Sequence, residues 1–241
     1  MERDKLVSFL DENFEEIEDS CENGLQFLGK ESVEKVALAV DARLSTIEKA
    51  IELEADLLFV HHPMIFSPWK QITLFEKARL KPLIQSDLNL YGQHLPLDMH
   101  PVWGNNVQIA QTLDLEAERD FGSHHGVSIG FSADSSLSFE ELLSLVKKRV
   151  GYLSHIKSCE NSGRICICSG GSWMSAYEMK KGETFITGDP NRVVEILADE
   201  VGFNVIFAGH YNTEKFGVKA VGAALEKKGL ETVFIDEPTA V

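Results

Sequence analysis

Apolar residues follow two patterns along this chain, helical spacing and short continuous runs. The first pattern predicts a helix over residues 3–17, where the apolar positions are Leu6, Phe9, Leu10, Phe14 and Ile17. The second predicts buried strands at 36–40 and 56–60, which read Val-Ala-Leu-Ala-Val and Asp-Leu-Leu-Phe-Val. Ser45 is predicted to cap the helix between these strands, with Glu48 completing a capping box. Strand, helix and strand in this order are typical of an open α/β sheet.

The same alternation continues along the rest of the chain. Further helices are predicted at 75–86, 105–113, 139–150, 192–201 and 213–228, and further strands at 88–91, 165–168, 183–187, 204–208 and 231–235. The polar stretch 116–123 is predicted to join two halves. Two apolar strands, 57–62 and 205–210, both end on histidine, which favours a two-part α/β architecture. We place the approximate boundary between a first half, 1–120, and a second half, 121–241.

Composition narrows the functional classes. The formal net charge of −15 opposes non-specific binding to nucleic acid, because that binding depends on Lys and Arg neutralising phosphates. No apolar run approaches the roughly 18–20 residues that span a bilayer, and no secretory segment follows Met1. We therefore predict a cytoplasmic protein with no membrane role.

Four cysteines occur in the chain, and without a secretory signal we expect no disulfides. Cys166 and Cys168 lie two residues apart in a predicted strand, so they share one face. Free cysteines are among the most buried residues, and a thiolate metal site needs a second close pair that is absent here. We therefore expect these two thiols to pack in the core.

Histidines follow the predicted strand that ends at residue 60. In open α/β sheets, ligands bind outside the carboxyl ends of the strands, and His61 and His62 stand at that point. Neighbouring side chains in an extended chain point to opposite sides, so this pair suits two ions, or one ion and a partner role. Two surface histidines at a strand end are an equally good interpretation of the pair taken alone.

Two further clusters follow predicted strands. The segment 94–100, His-Leu-Pro-Leu-Asp-Met-His, supplies Asp98 between two imidazoles, although Asp near Pro is also common in turns. His210 ends another strand, and Thr213 is predicted to cap the next helix with Glu214 in its first turn. The helix dipole favours a carboxylate there, which is by itself a sufficient explanation for Glu214.

Taken together, the three clusters favour metal binding. Three imidazoles and two carboxylates suit Zn, Fe, Mn, Co or Ni better than Ca or Mg. Five ligands exceed the three of an open catalytic zinc site and are enough for two divalent ions. The predicted ligands are His61, His62, Asp98, His210 and Glu214. We predict that the isolated histidines His124, His125 and His155 are not ligands.

These motifs resemble the Nif-three-like family (NGG-interacting factor three), whose members carry the name GTP cyclohydrolase 1 type 2. The resemblance covers nearly the whole chain, and its most specific motifs are His-His-Pro at 61–63 and Gly-His-Tyr-Asn-Thr-Glu at 209–214. Other matching segments are 23–26, 94–98, 170–171 and 187–189. The chain departs from the family at 190–194, where many relatives have a histidine, and at Ser172-Trp173, which is bulkier than usual.

The resemblance implies a three-layer α/β/α sandwich with largely parallel sheets in two similar, intertwined halves, and a ring-shaped homohexamer. It also implies a dinuclear centre in which Glu214 bridges the ions. His61 and His210 would favour one ion, and His62 and Asp98 the other. His94 matches a family histidine near the centre, which implies a supporting or proton-carrying catalytic role.

Two functions remain open at this point. A two-metal site supports hydrolysis, and the family name implies a nucleotide such as GTP, opened at its imidazole ring with release of formate. The alternative is a non-catalytic scaffold or protein-interaction factor in which the metals are structural. The chain has no Walker-type glycine loop, and a lone Gly170-Gly171 pair is more often a turn than a phosphate contact.

Overall fold

The computed structural model describes residues 1–239 of the chain, and they form two compact units. Unit 1 combines Met1–Leu97 with Val218–Glu237, and unit 2 consists mainly of Asp98–Gly217. The chain therefore leaves unit 1 after residue 97 and returns to it near its carboxyl end.

Helices and strands alternate along most of the chain. The α-helices of residues 1–239 are α1 (Arg3–Asn13), α2 (Leu44–Glu52), α3 (Leu74–Ser86), α4 (Leu95–Asp98), α5 (Asn105–Thr112), α6 (Phe139–Arg149), α7 (Arg192–Leu197) and α8 (His210–Glu226). The strands are β1 (Gly24–Phe27), β2 (Lys35–Asp41), β3 (Leu57–His62), β4 (Asn89–Gly92), β5 (Glu118–His124), β6 (Val127–Asp134), β7 (Ser154–Ile156), β8 (Arg164–Cys168), β9 (Thr184–Thr187), β10 (Asn204–Phe207) and β11 (Glu231–Phe234). A 3₁₀ turn covers Trp173–Glu178, and a π turn at Ala198–Gly202 extends α7.

Unit 1 contains a five-stranded sheet in the order β1-β4-β3-β2-β11. All of its pairings are parallel except that of β1 with β4. Helices α2 and α3 pack on one face through Ile47, Ala50 and Leu83. On the other face the ring of Phe14, just after α1, stacks on that of Phe59 at 6.5 Å. With both faces covered, the central residues of β2 and β3 are apolar, as the continuous runs in the sequence predict.

Unit 2 contains a six-stranded sheet in the order β5-β6-β8-β9-β10-β7. Its central strands β8, β9 and β10 are parallel, and the outer pairings are antiparallel. Helices α5 and α6 cover one face, and α7 with the 3₁₀ turn covers the other. Each fully buried Leu, Ile or Phe in such a layer contributes roughly 1.5–3 kcal/mol to folding. The predicted α/β class, with a sheet between helical layers in each unit, is confirmed.

Three local predictions are wrong. The segment 116–123 is not a linker: most of it forms β5, an edge strand whose mostly exposed residues hide its strand character. This strand runs through His124, and the turn follows at His125 and Gly126.

The two helix caps also differ from prediction. Arg43, not Ser45, precedes the first turn of α2, and the Ser45 hydroxyl donates to Glu237 at 2.6 Å instead. Helix α8 begins at His210, because Gly209 adopts φ +98° and ends the strand abruptly. Thr213 therefore lies inside the first turns of α8, and its backbone N–H donates to the carbonyl of Gly209.

The lengths of the helices and the state of the cysteines bear on the predicted environment of the chain. In residues 1–239, no helix is both long enough and apolar enough to cross a membrane. All four cysteines are free thiols, and Cys166 and Cys168 are buried in the core of unit 2, as predicted.

Candidate metal centre

Strand β3 ends on the two histidines that the sequence singles out. His61 is fully buried, and its Nδ1 lies 3.0 Å from the backbone carbonyl oxygen of Gln93. His62 is half-buried, and its Nδ1 lies 2.8 Å from Oδ1 of Asp41, the last residue of β2. The two ring centroids are 4.7 Å apart. Although adjacent strand residues point to opposite sides, these two rings lie close together at the strand end.

His94 lies beside this pair. Its ring centroid is 5.2 Å from that of His61 and 5.6 Å from that of His62. One nitrogen from each ring can be chosen so that all three lie within 4.8 Å of one another. This histidine trio, His61, His62 and His94, is a group that could hold a metal ion within unit 1.

Asp19 fixes the orientation of His94. Its Oδ1 lies 2.8 Å from His94 Nδ1, and its Oδ2 accepts from the side-chain amide of Asn23 and the backbone N–H of Leu95. Burial would raise the pKa of the Asp19 carboxyl, but the hydrogen bonds with His94, Asn23 and Leu95 hold it well below its usual range. A carboxylate accepts only, so Nδ1 of His94 donates and Nε2 carries the lone pair of the neutral ring.

The predicted ligands of unit 2 lie at the start of α8. Glu214 is 2% exposed, and its Oε2 lies 3.1 Å from Nε2 of His210, one helical turn earlier. Nδ1 of His210 lies 2.8 Å from Oδ2 of Asp189. Burial lowers the pKa of this imidazole, but the two carboxylates outweigh burial and raise it to about 9. The carboxylates around His210 therefore favour a positive charge at its ring, which either a proton or a metal ion supplies.

Asp98 is held in place by two side chains of unit 2. Its Oδ1 accepts from Nδ2 of Asn105 and from Oγ of Ser169, both at 2.8 Å. Asp98 is 6% exposed. Hydrogen bonds of this kind orient the ligating carboxylates of metal sites.

Ser169 and Gly170 form the loop after β8, and this loop contacts both predicted carboxylate ligands. Ser169 binds Asp98, while a Cβ on Gly170 would stand 2.2 Å from Oε1 of Glu214 and 3.3 Å from Nε2 of His210. Gly170 also has φ +62°. Its lack of a side chain makes room for the Glu214 carboxylate, a role that the sequence did not indicate.

The other histidines have different surroundings. His100 stacks on Trp103 with ring centroids 4.6 Å apart, and its Nδ1 accepts two backbone N–H groups of the turn 102–103. His155 lies 2.8 Å from the hydroxyl of Tyr152, and His124 packs against His125. None of them belongs to a group of metal-binding side chains in residues 1–239. The exclusion of His124, His125 and His155 as ligands stays a prediction.

Sequence reasoning missed the three aspartates that orient the imidazoles. Asp41 ends β2, and Asp189 follows β9 by two residues, so the strand-end rule that selected the histidines would also have selected both. Asp19 lies in the segment between α1 and β1, where no strand-end signal exists. Its contact with His94 depends on tertiary structure alone.

The donor set fits a borderline divalent metal. In His61, His62, His94 and His210, Nδ1 faces an oxygen of a carboxylate or carbonyl, and such partners accept hydrogen bonds. Metal-bound histidines have this arrangement, with one ring nitrogen donating to an oxygen and the other ligating. These imidazoles and the buried carboxylates are therefore groups that could hold metal ions.

A model of the family Duf34/NIF3 (NGG1p interacting factor 3) matches residues 1–240 of the chain. The chain belongs to this family. The predicted family resemblance is thereby confirmed over almost the whole sequence.

Curated relatives and solved structures agree with this assignment. The "GTP cyclohydrolase 1 type 2 homolog" of Pyrococcus horikoshii is 42% identical over all of both chains, and that of Archaeoglobus fulgidus is 39% identical over 98% of both. Protein TTHA1606 of Thermus thermophilus superposes with a TM-score of 0.88 at 35% identity over all of both chains. Reduced HcgD of Methanocaldococcus jannaschii superposes with a TM-score of 0.84 at 29% identity over 98% of both.

Proposed function

We propose that this chain is a metal-dependent hydrolase that binds two divalent transition-metal ions through His61, His62, Asp98, His210 and Glu214. One observation carries the proposal: Nδ1 of each histidine in this set faces an oxygen acceptor, as in metal-bound histidines. Imidazole and carboxylate donors suit Zn, Fe, Mn, Co or Ni.

The ligands divide into two groups under this proposal. His61 and His210 would hold one ion, His62 and Asp98 would hold the other, and Glu214 would contribute to both. When bound, two such ions polarise the bond under attack and supply activated water near neutral pH.

His94 is proposed as the residue that holds and moves a proton. Asp19 accepts from its Nδ1, so exchange takes place at Nε2. The fixed ring lies beside His61 and His62, where a positioned imidazole can act as general acid or base.

A nucleotide such as GTP is the proposed substrate. The support is the name shared by relatives up to 42% identical over the full chain, GTP cyclohydrolase 1 type 2 homolog. The corresponding reaction opens the imidazole ring of the purine by hydrolysis and releases formate.

Metal content of protein purified without chelators tests the ligand set. We expect close to two ions per chain by elemental analysis, about one after His62→Ala, which removes a ligand of one ion, and fewer than one after Glu214→Ala, which removes the shared ligand. His155→Ala is the matched control, because His155 is exposed and its ring contacts Tyr152 and Phe139, and it should retain both ions. A chain that binds no metal, or variants that bind as much as the control, would contradict the proposal.

The aspartates that orient the histidines give a sharper test. Asp41→Ala and Asp189→Ala remove the oxygen that faces Nδ1 of His62 or His210. We expect a 10- to 100-fold loss of zinc affinity, measured by competition with a fluorescent chelator. The control Asp199→Ala removes an exposed carboxylate and should leave the affinity unchanged.

Formate release from GTP tests the activity. We expect turnover by the metal-loaded protein, loss of turnover in EDTA and recovery on adding metal. Turnover that survives complete metal removal contradicts the mechanism. Two bound ions without hydrolysis of any nucleotide would favour the scaffold function instead.

A further inference from the structure

Two adjoining cavities in unit 1 share part of their lining. The inner cavity, of about 380 Å³, is lined by His62, by aromatic side chains and by two arginines. The outer cavity, of about 530 Å³, lies next to it. Arg43, Phe75 and Arg79 line both, so these three side chains form the border between the cavities.

Neither arginine at this border forms a salt bridge with a carboxylate among residues 1–239, although the charge of Glu76, one helical turn before Arg79, acts on its guanidinium. The guanidinium of Arg79 stacks on Phe75, 3.9 Å from the ring centroid. It donates one hydrogen bond, from Nη1 to the carbonyl oxygen of Ala42 at 3.3 Å, although a guanidinium has five N–H donors. Arg43 is exposed. Nε of Arg79 is buried without a hydrogen-bond partner in the described residues, so the border offers unused guanidinium donors and the positive charge of Arg43 to an anionic ligand.

The acidic side chains nearby limit where that anion can lie. In the inner cavity, Asp41 pairs with His62, and Glu76 accepts from the backbone N–H of Thr73. In the outer cavity, Glu48 lines the wall and Ser45 already binds the carboxylate of Glu237. The outer end is therefore negative, and the arginine border is the favourable position for an anion.

Aromatic side chains also line the inner cavity. Phe66 is 40% exposed, and its ring centroid lies 6.0 Å from that of His62. Trp69 and Phe75 line the same cavity. Flat apolar walls with a few charged groups are typical of pockets for aromatic small molecules, and the volume lies in the usual range for such pockets.

We infer that the inner cavity binds a flat aromatic compound carrying a phosphate group, with the phosphate on Arg43 and Arg79 and the ring against Phe66 and Trp69. Two guanidinium groups match a phosphate monoester in charge, and their N–H forks match its oxygens. The inference rests on the proposed function, because it treats this cavity as the place of the substrate beside His62.

Binding of phenyl phosphate to the metal-free full chain, measured by calorimetry, tests this subsite. We expect Arg43→Gln and Arg79→Gln each to weaken binding at least tenfold, and Arg79→Lys to recover part of the loss. The matched control is Arg149→Gln, which removes an arginine paired with Asp114 and lining neither cavity. It should bind phenyl phosphate within twofold of the unchanged chain.

Three other probes identify the chemistry of the ligand. We expect inorganic phosphate to bind more weakly than phenyl phosphate but with the same dependence on the arginines. Trp69→Leu should weaken phenyl phosphate alone. Benzyl alcohol should not bind. Benzoate binding as tightly as phenyl phosphate would overturn the assignment of phosphate in favour of a carboxylate.

The outcomes separate this inference from the proposed function. If the chain binds no metal but the arginine variants bind phenyl phosphate more weakly, the phosphate subsite is supported and the metal-dependent activity is contradicted. If two metals bind but Arg43→Gln and Arg79→Gln bind phenyl phosphate as tightly as Arg149→Gln, the inference is overturned. Equal thermal unfolding midpoints of the unchanged chain and of these three arginine variants would show that the comparison concerns binding and not folding.

Discussion

Among single residues, Gly170 leaves the space that the Glu214 carboxylate occupies. Its φ of +62° disfavours any side chain, and a Cβ there would overlap the Glu214 carboxylate. Gly182 provides a matched position, because its φ is +86° but open space surrounds the place of a Cβ. An alanine at either position would suffer the same kind of backbone strain. Only at Gly170 would its methyl group overlap another side chain.

We expect Gly170→Ala and Gly182→Ala each to lose about 1–2 kcal/mol of unfolding free energy in urea, because both force alanine into the left-handed region. Only Gly170→Ala should also lose bound metal, since its methyl group displaces Glu214. Equal metal content in the two variants would show that the Gly170 loop does not support the site.

The buried thiols give a second test at this scale. Burial raises the pKa of Cys166 and of Cys168 to about 12, so at pH 8 both are neutral thiols, and the reactive thiolate appears only as the pH rises toward that value. We expect iodoacetamide at pH 8 to modify the half-buried Cys159 in the native chain while sparing these two. Mass spectrometry of tryptic peptides shows which cysteines are modified. Unfolding the chain beforehand should make all three equally reactive.

Among the elements, helix α6 shows what correct local sequence signals contribute. Ser138 caps it: the hydroxyl accepts from the backbone N–H of Glu141, and the Glu141 carboxylate accepts from the backbone N–H of Ser138. The reciprocal pair satisfies donors that a helix start otherwise leaves exposed. The apolar residues of the helix lie at helical spacing and are buried on one face: Phe139, Leu142, Leu143 and Val146.

We expect Ser138→Ala to lower the unfolding free energy by about 1 kcal/mol, because the cap hydrogen bond is lost. Ser144→Ala, at an exposed position of the same helix, should be neutral or slightly stabilising, because alanine has the highest helix propensity. Urea denaturation of both variants checks this, and equal midpoints would contradict the role of the cap.

Over the whole molecule, the family resemblance predicts a homohexamer. We expect light scattering of the purified chain to give a mass close to six times 26.9 kDa. A monomer at micromolar concentration would contradict the prediction. Measuring with and without metal shows whether assembly depends on the ions.

The amino-acid sequence by itself determined most helices, the buried strands that pair in parallel, the α/β class and the family, whereas the strands β1, β5, β6 and β7 were not predicted. The continuous apolar run 36–40 forms a buried strand, and the apolar residues at helical spacing in 139–150 form a helix. The reason is that each type of element buries side chains at its own regular spacing along the chain. Histidines at strand ends were identifiable for the same reason, since the carboxyl ends of parallel strands are where open sheets bind ligands.

Tertiary structure alone decided the contacts between residues far apart in the chain. Asp19 binds His94 across 75 positions, and Ser169 binds Asp98 across 71, distances over which sequence patterns carry no information about pairing. The edge strand β5 was missed because its residues are mostly exposed and lack an apolar run. Local periodicity reports which face of an element is buried, whereas the neighbours of a buried polar group depend on how the chain packs.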